Sequence, residues 1–66
     1  MKWHFENGYG ASVIKDYLEE GTFELAVLCK KNNEWSLDYT TPITDGVLRC
    51  LTADEVTATL EKIKKL

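Results

Sequence analysis

Residues 51–56 of the chain, Leu-Thr-Ala-Asp-Glu-Val, combine several signals for the start of a helix. Thr52 can accept a hydrogen bond from a free amide of the first turn, while the Glu55 side chain can reach back to the Thr52 amide. Leu51 and Val56 flank this capping box as a hydrophobic staple. Apolar residues recur with a period near two before this point and near 3.6 after it. The sequence therefore predicts a sheet followed by a helix.

The length of the chain, 66 residues, indicates one small domain over residues 1–66. A domain of this size buries only about 60% of the surface that its unfolded chain exposes. We therefore expect marginal stability, or stability supplied in part by a partner subunit.

Two cysteines, Cys29 and Cys50, lie 21 positions apart in the sequence. They can form at most one disulfide, whereas small secreted scaffolds are denser in cysteine. With no signal peptide recognised before residue 1 and no apolar run near the ~20 residues of a membrane span, we expect a soluble cytoplasmic protein with two reduced thiols and no membrane partner.

The formal net charge of −3 argues against nonspecific nucleic-acid binding, because such binding depends on Lys and Arg neutralising phosphates. Arg49 is the only arginine. The basic residues at the end of the chain, Lys62, Lys64 and Lys65, are expected to complement the dipole of the predicted helix. We therefore do not expect nucleic acid as a partner.

Three acidic residues, Asp16, Glu19 and Glu20, gather around one predicted connection between strands. An acidic surface can imitate the phosphates of nucleic acid, although a solvated loop explains the same residues. We predict that these three residues take part in contact with a partner.

The first predicted hairpin joins Lys2–Glu6 to the strand after Asn7-Gly8, a pair of residues typical of a two-residue type I′ turn. In that register Phe5 lies opposite Gly10 and covers its bare backbone. The second face of this hairpin would then hold His4, Tyr9, Ala11 and Val13.

The second predicted hairpin joins Thr22–Lys30 to Glu34–Thr40. A three-residue loop at 31–33 places Val27 opposite Leu37 and collects the apolar residues on one face. A two-residue loop divides them between both faces. Because a slip of one residue inverts every side chain, the three-residue loop is the prediction.

The segment before the helix carries mixed signals. Thr44 and Asp45 can cap a short helical turn reaching Cys50, which is the prediction, and Gly46 to Leu51 as a fifth strand is the alternative. The predicted fold class is α+β, a four-stranded antiparallel sheet in the order β-β-β-β-α, with the amphipathic C-terminal helix packed on one face.

Few residues in this sequence are candidates for catalysis or metal binding. His4 is the only histidine, and one imidazole with two isolated thiols does not match a zinc site. Gly8-Tyr9-Gly10 lies in a predicted hairpin, whereas phosphate loops open onto a helix. We predict no catalytic residues, no metal, no cofactor and no enzyme activity.

The face of the sheet that the helix leaves uncovered is the predicted interaction surface. Its apolar centre is expected to consist of Tyr9, Val13, Ala26 and Leu28. Such a centre within a charged rim is typical of a surface that binds a second copy or another protein. The alternative is that these residues belong to an ordinary wet face of an antiparallel sheet.

Four segments carry a resemblance to known proteins. They are residues 7–13 (Asn-Gly-Tyr-Gly-Ala-Ser-Val), 24–28 (Glu-Leu-Ala-Val-Leu), 41–45 (Thr-Pro-Ile-Thr-Asp) and 51–56. Through them the chain resembles small proteins of bacteriophages and prophages of Gram-positive bacteria, a group without an assigned activity or site residues.

The resemblance implies a bacterial host cytoplasm and a protein that works by binding. The most concrete hypothesis is a phage-encoded inhibitor that contacts a bacterial defence protein. A sponge for a small nucleotide signal at a subunit interface, and a structural or assembly component of a virion, are the alternatives.

Overall fold

The computed structural model describes residues 1–44 and 46–66. They form five strands and one helix: β1 (Lys2–His4), β2 (Tyr9–Lys15), β3 (Phe23–Lys31), β4 (Glu34–Leu37), β5 (Val47–Leu51) and α1 (Ala53–Lys64). The predicted α+β class, an antiparallel sheet followed by a C-terminal helix that packs on it, is confirmed.

Strand β3 is the centre of the sheet. Strand β2 pairs with one edge of β3, and β1 pairs with the outer edge of β2. The opposite edge of β3 is shared, since Leu28–Lys31 pair with β4 and Phe23–Ala26 pair with β5. Every pairing is antiparallel, so the sheet is four strands wide with β4 and β5 end to end along one edge.

The first hairpin has a three-residue loop, not the predicted two-residue loop. The Phe5 amide donates to the Tyr9 carbonyl at 2.8 Å, and Gly8 takes the left-handed conformation (φ 85°) that closes such loops. The register shifts by one residue, so His4 rather than Phe5 lies opposite Gly10. The predicted register is therefore wrong, because the loop also includes Glu6.

The second hairpin is closed by Asn32 and Asn33, both in the left-handed conformation (φ 52° and 65°). This two-residue turn pairs Leu28 with Leu37. The predicted three-residue loop is wrong. It assumed that only one face of the sheet is apolar, whereas Leu37 in fact lies on the face opposite the helix.

The segment before the helix is strand β5, so the predicted helical turn is wrong and the alternative of a fifth strand is right. The part of that prediction that rests on Asp45 lies outside the described residues. Leu48 pairs with Leu25 and packs against the core, which favours the strand. Cys50, with φ 57°, lies at a shift in the register between β5 and β3, where the strand bulges.

Helix α1 begins as its sequence predicts. The Thr52 hydroxyl accepts from the Glu55 amide at 3.2 Å, and Glu55 Oε1 accepts from the Thr52 amide at 3.0 Å. At the other end, the side chain of Asn7 donates to the carbonyls of Ile63 and Lys64 at 2.9 and 3.1 Å. The turn of the first hairpin thus supplies a donor to the last turn of the helix, where the Ile63 carbonyl also accepts from the Leu66 amide at 3.2 Å.

The core lies between α1 and one face of the sheet. Its buried residues are Ala11, Val13, Leu25, Val27, Val56 and Ile63. Leu60, on the same face of the helix as Val56 and Ile63, packs against them. A helix of 12 residues would be marginal alone in water, so this packing is what holds it.

Candidate binding surfaces

The face of the sheet opposite the helix, which we name the open face, carries a group of apolar and aromatic side chains. They are His4, Ile14, Ala26, Leu28, Trp35, Leu37 and Val47, which the pairings of all five strands place on one side. Ile14, Leu37 and Val47 are each about half exposed, at 51%, 49% and 46%. The open face is therefore an apolar surface with no element of the described chain covering it.

The floor of the open face is well packed. Leu28 is 6% exposed and Ala26 9%, although the helix lies on the other side of the sheet. The rings of His4 and Trp35 stack with centroids 4.0 Å apart and planes 7° from parallel. Gly10 permits the close approach of β1 to β2, since a side chain there would collide with the Trp3 carbonyl of β1.

The two ends of the open face differ in charge. At one end Arg49 contacts Glu24 at 2.8 Å and Asp16 at 3.3 Å, so two carboxylates surround one guanidinium. At the other end Lys30 is exposed opposite Trp35. Counting −1 for each acid and +1 for each base, Arg49, Glu24 and Asp16 at the first end sum to −1 and Lys30 at the second end contributes +1. Lys2, exposed in the row of Ala26, adds a further +1 between the two ends.

The structure places some of the apolar residues predicted for the interaction surface on the open face and the others on the helix side of the sheet. Ala26 and Leu28 lie on the open face as predicted. The placement of Tyr9 and Val13 there is wrong, because the longer first loop turns both toward the helix: Val13 is 2% exposed in the core, and Tyr9 packs against the core from its edge. Their predicted role in binding loses its geometric basis.

Residues 16–21, in the connection between β2 and β3, form an exposed loop that we name the tip. Tyr17 is 95% exposed and Leu18 81%, the two most exposed large apolar side chains among the described residues. Glu19 and Glu20 follow them and are also exposed. The tip therefore presents an apolar pair beside two acidic residues.

Backbone and side-chain hydrogen bonds hold the tip in place from below. The Asp16 amide donates to the Thr22 carbonyl at 3.0 Å, and the Thr22 hydroxyl donates to the Glu19 carbonyl at 2.8 Å. Asp16 Oδ1 accepts from the Leu18 amide at 2.9 Å. Gly21, at φ 84°, closes the loop. The exposed side chains thus stand on an ordered backbone.

Asp16 is the electrostatic anchor of the tip. Its side chain is fully buried, yet it is ionised, because the hydrogen bond from the Leu18 amide lowers its pKa. Burial opposes this shift, and the guanidinium of Arg49 reinforces it. Of the three acidic residues predicted for contact, Asp16 therefore supports the loop, and Glu19 and Glu20 remain available to a partner.

Cys50 lies beside this anchor, with its Sγ 3.8 Å from Asp16 Oδ2. A hydrogen bond to Glu19, desolvation and the negative charges of Glu19 and Asp16 raise the pKa of the thiol. A thiol with a raised pKa holds little of the reactive thiolate at neutral pH. Cys29 is free and buried.

Comparison of the chain with protein-family models, with curated proteins and with solved structures finds no match. The resemblance to small phage proteins therefore stays a prediction. Among the described residues, no helix is both long and apolar enough to cross a membrane.

Sequence reasoning missed the anchor and half of the open face. The only arginine of the chain, Arg49, was a signal for the anchor, because a lone guanidinium on a strand is a natural partner for a buried carboxylate. Trp35 and Leu37 were missed because the register of the second hairpin was shifted by one residue.

Proposed function

We propose that this protein is a non-enzymatic binding protein that contacts a partner protein with the tip. The observation that carries the proposal is the near-complete exposure of Tyr17 and Leu18 on a hydrogen-bonded loop. Loops fixed on a rigid scaffold commonly carry binding residues, and tyrosine is enriched among the residues that dominate binding energy.

The acidic residues beside this pair suggest the chemistry of the partner. Glu19 and Glu20 follow Tyr17 and Leu18 in sequence and are exposed. A complementary surface would offer an apolar pocket with a basic rim. The substrate grooves of proteins that act on nucleic acid are basic, which fits the hypothesis of a phage-encoded inhibitor of a bacterial defence nuclease.

A nucleotide sponge has less support. A concave region of about 460 Å³ is lined in part by the tip, and its exposed charged residues are Lys15 and Glu20. One base balanced by one acid gives the phosphates of a nucleotide no net positive charge to bind, so we favour protein contact over this alternative.

Affinity capture from host lysate tests the proposal, with the wild type and a Y17A/L18A variant as baits. We expect the wild type to retain a stoichiometric protein and the variant to lose at least nine tenths of it, because truncating a central apolar anchor typically costs 2 kcal/mol or more, about 30-fold in affinity. Tyr39, 48% exposed and outside residues 16–21, gives the matched control Y39A, which should retain the partner.

Two outcomes would refute contact through the tip. The first is a partner held equally by the wild type and the Y17A/L18A variant. The second is a wild-type bait that retains only a nucleotide or virion proteins, which would support the sponge or the assembly component instead.

A further inference from the structure

We propose that the open face is the interface of a homodimer, in which two copies stack their sheets face to face. The two-fold axis lies between the two sheets and runs perpendicular to the strands. The inference concerns a surface separate from the tip. It rests on the pattern of side chains on the open face, which is complementary to itself.

Strand β3 shows the pattern most simply. Its open-face residues run Glu24, Ala26, Leu28, Lys30, an acid at one end and a base at the other with a small and a large apolar residue between them. A two-fold axis across the strand at Val27 reverses this order in the second copy. Glu24 then faces the partner's Lys30, while Ala26 and Leu28 are buried and form the floor beneath the contact.

The neighbouring edge, formed by β5 and β4, matches under the same axis. Val47 is paired with Ala26, and Leu37 is paired with Leu28. The axis exchanges the rows of Ala26 and Leu28, so it also exchanges the half-exposed residues Val47 and Leu37. Val47 therefore faces the partner's Leu37. Each dimer contains this contact twice, since a two-fold interface repeats every pair.

The charged ends agree with this arrangement. The axis brings the end with Arg49, Glu24 and Asp16, net −1, over the end with Lys30, net +1. An axis along the strands would instead place like ends together, which costs free energy.

The size of the open face sets the strength of the dimer. Four strands about 4.8 Å apart and six residues of about 3.3 Å each give a flat footprint of about 400 Å² per copy. Even with the extra area of the side chains, this is below the standard of about 800 Å² per partner. We therefore expect a dimer that forms at micromolar concentrations or above.

Sedimentation equilibrium between about 10 μM and 1 mM tests this dimer and its register together. The wild type should pass from monomer to dimer across this range. V47E and L37K each place one unpaired charge against an apolar residue of the partner, so each alone should stay monomeric. An equimolar mixture of the two variants should recover the dimer, because the new carboxylate meets the new ammonium.

The control is L18K, which adds the same charge as L37K but at the tip, and it should dimerise like the wild type. Circular dichroism establishes that each variant is folded. A wild type that stays monomeric up to 1 mM, or a dimer that V47E and L37K leave intact, overturns the proposal. Folded monomeric variants that fail to associate on mixing overturn the two-fold register. None of these outcomes bears on contact through the tip, because the lysate experiment does not require a dimer.

Discussion

At the scale of single residues, a buried carboxylate organises the part of the molecule that we propose for binding. Asp16 sits beneath an apolar pair and accepts from the Leu18 amide, while Arg49 bridges it to Glu24 on β3. A buried charge is tolerated only when it is paired and hydrogen-bonded, and Asp16 meets both conditions. The tip is thus coupled to the sheet through one side chain.

Replacing Asp16 by Asn should lower the melting temperature at pH 7, and the difference from the wild type should shrink in acid. A folded-state pKa below the ordinary 3.8 means that the carboxylate stabilises the fold above pH 3.8, and this contribution is lost as the pH falls through the lowered value. Thermal unfolding of both proteins between pH 2 and 7 measures it. A difference that stays constant with pH would contradict the ionised anchor.

At the scale of elements, the helix could be predicted from its own residues and the hairpins could not. The capping box and the apolar stripe are local, and the structure contains both. Register depends instead on loop length. One additional residue in the first loop and one fewer in the second inverted the predicted pairings.

The hydrophobic pattern could not indicate the right loop lengths, because both faces of the sheet are apolar. Leu28 and Val27 are adjacent in β3 and both buried, one on each face. Alternation selects a register only where one face is polar. The prediction that Ala26 and Leu28 lie on the open face does not depend on the first loop, and it is right. The same prediction for Tyr9 and Val13 depends on the length of that loop, and it is wrong.

Asn7 joins two elements and gives a prediction at this scale. Replacing Asn7 by Asp keeps the acceptor for the Tyr9 amide, bonded at 3.0 Å, but removes the donor to the helix carbonyls and adds a negative charge at the helix C-terminus. We expect the free energy of unfolding to fall by about 1–2 kcal/mol. Chemical denaturation measures it.

The matched control for this variant is N32D, in the turn of the second hairpin, where Asp also tolerates the left-handed conformation. It should change stability by less than about 0.5 kcal/mol. An N7D protein as stable as N32D would show that the hairpin does not support the helix end.

At the scale of the whole molecule, the two surfaces have separate places. The molecule measures 36 × 20 × 19 Å, and the tip extends beyond the acidic end of the open face. The proposed two-fold axis exchanges the two ends of the sheet, so a dimer would carry its two tips at opposite ends. Such a dimer could hold two partner molecules at once, which raises its apparent affinity for a partner that is itself oligomeric.

The most direct test of this division is the accessibility of methyl groups to a soluble paramagnetic probe, measured by NMR in dilute and concentrated protein. We expect the methyls of Leu37 and Val47 to become protected as the concentration rises, and those of Leu18 to stay exposed throughout. Leu37 and Val47 methyls that remain accessible at every concentration, or Leu18 methyls that become protected with them, would contradict an open face reserved for a second copy and a tip left free for a partner.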